Sequence, residues 1–279
     1  MRAGPLSNPK VISLLNRYFV PVYTVNEEYR SEGSASPEEK AERNRIFKEG
    51  HAAKLSVGSV HVYILGPDGH LIDTMHVARA AKTQNLIALL EKTAADLDVP
   101  EGKPVVAPVT QSQKPLCEPG GVALHLTARS LDGKGAWGDF PVENWIVLSS
   151  GESKSFLPAR DAVSAGDSWE IPRELATKLL THFYPATENN NVAKNVFEKQ
   201  SLKATVISLD KGVARARLTG EMRMAHSFYH KDDGKMVEAT VIGFIDFEPV
   251  TQQIHSLQLV TDQATYGGGK FAVALRSVH

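Results

Sequence analysis

Cys117 is the only cysteine among 279 residues, and its isolation bounds the redox chemistry open to the chain. Dithiol exchange makes and breaks a disulfide through a mixed-disulfide intermediate and needs two sulfurs. Cys117 lies in a proline-rich stretch without a nearby histidine or a helix N-terminus to lower its pKa, so an unreactive thiol is expected. The densest grouping of ligand-type side chains is His226-Ser-Phe-Tyr-His230, two imidazoles four residues apart that share one face of a regular strand. His182 and His255 are their candidate neighbours. A zinc site draws on three or four converging ligands. The pair is therefore expected to be exposed or hydrogen-bonded sheet histidines flanking a hairpin, with no metal and no cofactor. Tyr266-Gly267-Gly268-Gly269-Lys270 has the glycines of a phosphate-cradling loop, but that pattern needs Gly-x4-Gly-Lys-Ser/Thr before a helix, and a strand-like run follows here. A flexible hairpin loop is expected instead. No serine or threonine stands in a nucleophile-elbow sequence, so no catalytic residue is assigned.

The elements that would position these residues fall into two segments. Thirty-one basic against thirty-two acidic residues give a net charge of -1, which supplies no global field to recruit nucleic acid or an anionic membrane. No run approaches the roughly 18 apolar residues of a transmembrane helix. Pro100, Pro104, Pro108, Pro115 and Pro119 crowd residues 99–121, a semi-rigid connection by composition. The expected organisation is a domain over 1–98, a linker over 99–121 and a second domain over 122–279.

In the first segment, Val11, Ile12, Leu14, Leu15, Tyr18 and Phe19 recur at helical spacing after Ser7-Asn8-Pro9. Residues 19–25, Phe-Val-Pro-Val-Tyr-Thr-Val, read as a buried strand. Ser36-Pro37-Glu38-Glu39 opens a charged helix reaching His51. His61 to Leu65, the turn Gly66-Pro67-Asp68-Gly69 and His70 to Met75 predict a hairpin, and a helix carrying Leu86, Ile87, Leu89, Leu90 and Leu97 follows.

This order, with "RAGPLSNPKVISLLNRYFVPVYTVNEEY" and "LSVGSVHVYILGPDGHLID", resembles the thioredoxin-like superfamily. The resemblance covers about a third of the chain. It places Arg2 just after the second cysteine of the C-x-x-C motif, Met1 where that cysteine would stand, and the first strand upstream of residue 1. It also places Val60 where the family has a cis-proline, and a non-proline cis bond costs about 2.5–4 kcal/mol, so a trans bond is expected there. The resemblance implies two alternatives: a domain that has lost its dithiol chemistry, or a thiol-disulfide oxidoreductase whose active site is encoded upstream. An uncovered sheet edge in the first domain makes self-association an expectation.

The second segment alternates in the manner of an antiparallel sheet over 122–129, 144–149, 202–209, 212–224, 236–247, 253–261 and 271–278. Leu209-Asp210-Lys211-Gly212 and Lys231-Asp232-Asp233-Gly234 are hairpin turns. One main helix is expected near 172–184, with Leu175, Leu179, Leu180 and Phe183 on one face. "VSAGDSWEIP" resembles a phrase of exported bacterial β-rich proteins. There Gly166 would make the turn, Asp167 would bond backbone and Trp169 would plug the sheet.

The expected fold class is α+β: a partial thioredoxin-like α/β domain, then an antiparallel β-rich domain built as a curved sheet or incomplete barrel. The expected function is non-catalytic binding or structural support, with a protein or an apolar small molecule as partner. A periplasmic or cell-envelope location is expected if translation starts upstream.

Overall fold

The computed structural model describes residues 4–104, 114–132, 142–159, 162–185, 192–226 and 234–278. The fold is α+β with antiparallel sheets of two and eight strands. The chain divides into two compact units, Met1–Gln113 and Lys114–His279. The division falls inside the proline-rich stretch, and both flanks of that stretch are tied down. Gly102 N–H donates to Arg17 O at 2.9 Å, while Ser150 N–H donates to Glu118 Oε1 at 2.6 Å.

The first unit starts with α1 (Pro9–Tyr18), whose Asn8 cap accepts from Lys10 and Val11 N–H. Helix α2 (Pro37–Ala52) opens on a capping box in which Ser36 and Glu39 satisfy each other's backbone N–H. Strands β1 (His61–Leu65) and β2 (Leu71–His76) form a hairpin registered from His61↔His76 to Leu65↔Leu71. A single turn, α3 (Val77–Ala80), leads to α4 (Thr83–Asp96). Alternation on the hairpin sends Val62, Ile64 and Met75 to a cluster with Val11 of α1 and Leu86, Ile87 and Leu90 of α4. On the opposite face, Tyr63 stacks against Phe47 of α2, ring centroids 5.7 Å apart.

Residues 19–25 depart from expectation. They form no strand, and Val20, Val22 and Tyr23 are 90%, 81% and 76% exposed. β-Branched composition favours extended backbone, but a strand also requires a ladder partner, and none of the described strands pairs with this segment.

The second unit is a single open sheet. Its strands are β3 (Val122–Ser130), β4 (Val142–Leu148), β5 (Ser168–Glu170), β6 (Val196–Asp210), β7 (Val213–Ala225), β8 (Met236–Glu248), β9 (Gln253–Tyr266) and β10 (Gly269–Val278). The spatial order is β4-β3-β10-β9-β8-β7-β6-β5, so β5 to β10 form a meander and the β3–β4 hairpin docks on its last strand. With β4 and β5 as its two edges, the sheet does not close into a barrel. Register shifts at Val206/Ser208, Thr240/Val241 and Asp246/Phe247 mark bulges, which bend and twist the long strands.

One face of this sheet is buried. Leu124, Leu126, Leu202, Leu218, Val241, Ile245, Leu257, Leu259 and Leu275 pack there with Leu175, Leu179 and Leu180 of α6 (Arg173–Leu180). Helix α6 is shorter than the 172–184 expected: Pro172 is its N-cap, and the buried Phe183 and Tyr184 lie beyond its last turn. A second helix, α5 (Ser150–Ser155), was not anticipated, although Ser149 and Glu152 form a capping box at its start. Gly166 turns the chain at φ +93°, Ser164 N–H donates to Asp167 Oδ2, and Trp169 Nε1 donates to Phe156 O while its ring meets Phe247 edge-on. Lys211 and Gly212, both at positive φ, turn β6 into β7. Gly267 and Gly268 make an equally tight two-residue turn, so Tyr266–Lys270 is a hairpin. The Lys231–Gly234 turn lies mostly outside the described residues.

Candidate functional site

The candidate histidines do not converge. His226 follows the last residue of β7 and is 2% exposed. His230 lies outside the described residues. His255 is exposed near the start of β9, while His226 meets Tyr266 at the end of that strand. Eleven positions along a strand separate those two ends, roughly 35 Å. His182, just past α6, turns its Nδ1 to Asn144 Nδ2 at 3.0 Å. The amide nitrogen donates, so His182 carries its proton on Nε2, and burial lowers its pKa. No group of three His, Cys, Asp or Glu among the described residues could hold a metal ion.

What does assemble around His226 is an aromatic box. Its ring lies on Tyr184, centroids 4.3 Å apart and 15° from parallel, and meets Tyr266 edge-on at 5.9 Å. Strand pairing brings these parts together: Ala225 opposes Val196 and Met236, and Val237 opposes Tyr266. Tyr266 Oη donates to His226 O at 2.9 Å. Asn195, one residue before β6, fixes the tautomer. Its Nδ2 donates to Thr181 O at 2.9 Å, leaving Oδ1 to accept from His226 Nδ1 at 2.7 Å. The same amide thereby satisfies a carbonyl at the C-terminal end of α6. Burial pushes the Tyr184 hydroxyl up to about 12. The box has the chemistry of a folding lock: a neutral phenol, and an imidazole whose Nδ1 is held by the Asn195 amide.

A second histidine arrangement, unforeseen in the sequence, sits in the first unit. The hairpin register sets His61 opposite His76, with ring centroids 4.9 Å apart and nearly perpendicular. His61 Nε2 bonds Ser56 Oγ at 2.9 Å, while its Nδ1 is buried without a hydrogen-bond partner among the described residues. Gly58 lies over that nitrogen; a Cβ there would come within 3.2 Å of it. Tyr63 Oη locks the same loop, donating to Gly58 O and accepting from Gly58 N–H. His76 Nδ1 accepts from Ala78 N–H and caps α3. Burial, then the neighbouring His76, lowers the His61 pKa. The predicted hairpin brings the two strands together, but counting back from its turn sets His61 opposite Thr74; the Leu65↔Leu71 pairing and the register shift between Ile64 and Leu65 move His76 into place, and the sequence does not announce them.

Cys117 is half-buried, with Sγ 3.9 Å from Pro115 O. A cleft of about 360 Å³ opens between α6 and β6, lined by Glu170, Arg173, Glu198, Lys199 and Gln200 among others. Gln200 Nε2 donates to Thr177 Oγ1 and Arg173 O, and its Oε1 is buried without a partner among the described residues. The cleft mixes both signs of charge, and no histidine or cysteine stands among its described lining residues. No family model, curated protein or solved structure matches the chain.

Proposed function

We propose that the chain is a non-catalytic protein in which a thioredoxin-like unit is joined to a β-rich unit that binds a protein partner. The observation that carries this reading is the place of the lone thiol. Cys117 belongs to the Lys114–His279 unit, whereas the helix, hairpin and helix that resemble thioredoxin lie in Met1–Gln113. The layering of that first unit supports the resemblance, with α1 and α4 on one face of the hairpin and α2 on the other. Val60, at the family's cis-proline position, is among residues with no cis peptide bond, and its carbonyl accepts from Val77 N–H.

For the β-rich unit, Phe156, Leu179, Leu180, Phe183 and Tyr184 fill the buried side of the sheet. An apolar ligand needs an open interior. A packed interior of this kind favours recognition through the outer surface by a protein.

Turnover of insulin disulfides with a thiol reductant tests the catalytic half of the proposal. The 279-residue chain is expected to leave the rate at that of reductant alone. A multiple-turnover rate abolished by Cys117→Ser would overturn it.

A further inference from the structure

We infer that the outer face of the eight-stranded sheet docks an extended acidic segment of a partner protein, laid across β10, β9, β8 and β7 between Arg276 and Arg217. The inference rests on the reading of the β-rich unit as a protein-binding module and names its surface and chemistry. Strand register builds the site. Arg276 opposes Gln258, Gln258 opposes Phe244 and Phe244 opposes Arg217, so four exposed side chains form one row across the strands. Their chain neighbours Leu275, Leu259, Ile245 and Leu218 lie in the core, and alternation sends the row to the opposite face.

The middle of this face is apolar, where the solvent side of an antiparallel sheet is ordinarily polar. Phe244 and Val260 are each 39% exposed, and the half-buried Ile242 and the exposed Ala274 oppose Val260 from its two neighbouring strands. Arg215 lies over the Phe244 ring, 5.2 Å from its centroid, and is itself paired with Asp246. Arg276 and Arg217 meet no carboxylate among the described residues, so theirs is the charge this face offers to a ligand.

Spacing and charge select the occupant. Neighbouring strands lie about 4.8 Å apart, so three steps separate the two arginines by roughly 14 Å. An extended chain rises about 3.4 Å per residue and returns to one face at every second residue, so carboxylates four positions apart also span roughly 14 Å. The side chain midway between them then falls on the apolar middle. Each guanidinium presents a planar fork that a carboxylate fills with two hydrogen bonds. A polynucleotide needs a continuous track of cations, but Asp246, Glu238 and Glu221 stand on this same face. A second copy seated on the row would bring arginine to arginine.

Fluorescence anisotropy of labelled peptides titrated with the 279-residue chain tests the inference. The probe Thr-Glu-Thr-Leu-Thr-Glu-Thr carries its carboxylates four apart about a leucine; Thr-Glu-Thr-Glu-Thr-Leu-Thr has the same composition with them two apart. The first is expected to bind about tenfold more tightly than the second, which reaches only one arginine, and than the analogue with lysine for glutamate. Arg217→Gln and Arg276→Gln are each expected to weaken the first peptide about tenfold and to erase the preference for spacing, with unchanged circular dichroism. No saturable binding, equal affinity for the two spacings, or wild-type affinity in either variant would overturn the inference. Tighter binding of a twelve-thymidine oligonucleotide would give the face to nucleic acid, and a doubled mass in light scattering that Arg217→Gln abolishes would give it to a second copy; either result also overturns it. Insulin turnover reads the non-catalytic proposal separately, so a peptide that fails on a chain without turnover strikes this surface and leaves that proposal standing.

Discussion

His226 lies flat on Tyr184, and both rings are buried at the end of β7 where Asn195 holds the imidazole Nδ1. Such a stack contributes about 0.5–1.5 kcal/mol beyond area burial. His226→Ala also opens a cavity and orphans Asn195 Oδ1, so the second unit is expected to lose about 2–4 kcal/mol in urea unfolding. Asn195→Ala leaves Thr181 O and His226 Nδ1 bereft and is expected to lose about 1–3 kcal/mol. The double variant is expected to lose less than the sum, because both changes break one network. Strict additivity would dissolve the network.

Glu49 ties the hairpin to α2. Leu71 N–H and His70 Nδ1 each lie 2.9 Å from its carboxylate, Arg45 pairs with it, and together they bring its pKa to about 2. A carboxyl whose folded pKa is depressed stabilises the fold above its ordinary value near 4.5 and loses that contribution as pH falls toward 2. Amide exchange of Leu71 in the full chain is expected to accelerate across that window. Glu49→Gln is expected to flatten the response, and parallel profiles for the two chains would refute the assignment.

The His61–His76 pair operates in a different window. His61 is held below its ordinary value of 6.5 by burial first and then by the neighbouring imidazole. The folded hairpin therefore favours the neutral ring. That contribution is complete above 6.5 and is lost as pH falls through the lowered folded value. Exchange of the Tyr63 and Met75 amides is expected to quicken in the wild type as pH falls below 6.5. In His61→Gln the step is expected to disappear; its persistence would place the titrating group elsewhere.

Two glycines give opposite outcomes with the same substitution. A Cβ at Gly243 of β8 would stand 2.0 Å from Gln258 O, backbone of the neighbouring strand. Gly243→Ala is expected to cost about 3 kcal/mol or more, because the sheet must part to admit it. Gly151 in α5 has 3.9 Å of clearance, and Gly151→Ala is expected to gain about 0.5–1 kcal/mol from helix propensity. Thermal melts of both variants check the pair, and equal shifts would show the sheet to be looser than its geometry.

The eight-stranded sheet was legible wherever burial alternates along the chain. Ala214, Ala216 and Leu218 are buried while Arg215, Arg217 and Thr219 face out, and period two is a local signal. The short α5 was also written locally, in Ser149 and Glu152. Strand order was not legible: that β3 neighbours β10 depends on contacts about 150 residues apart. Residues 19–25 show the converse failure, with strand composition and no partner among the described strands. The box around His226 escaped because Tyr184, Asn195 and Tyr266 reach it from the ends of three different elements, and no spacing in the sequence records that meeting.

The pairing of β3 with β10 sets the order of events during synthesis. Leu126 finds its register partner only when Leu275 has been made, so the β3–β4 hairpin emerges from the ribosome long before the edge it must join. Until then it is a two-stranded piece, marginal in water, with Leu124 and Leu126 uncovered. The meander from β5 to β9 can zip neighbour to neighbour as it appears, but the sheet is one strand short of connecting its two parts. β10 is thus both the last of the described strands to be made and the joint between the early and late parts of this sheet. A ribosome stalled before Phe271 would leave two apolar surfaces with no partner but each other or a chaperone.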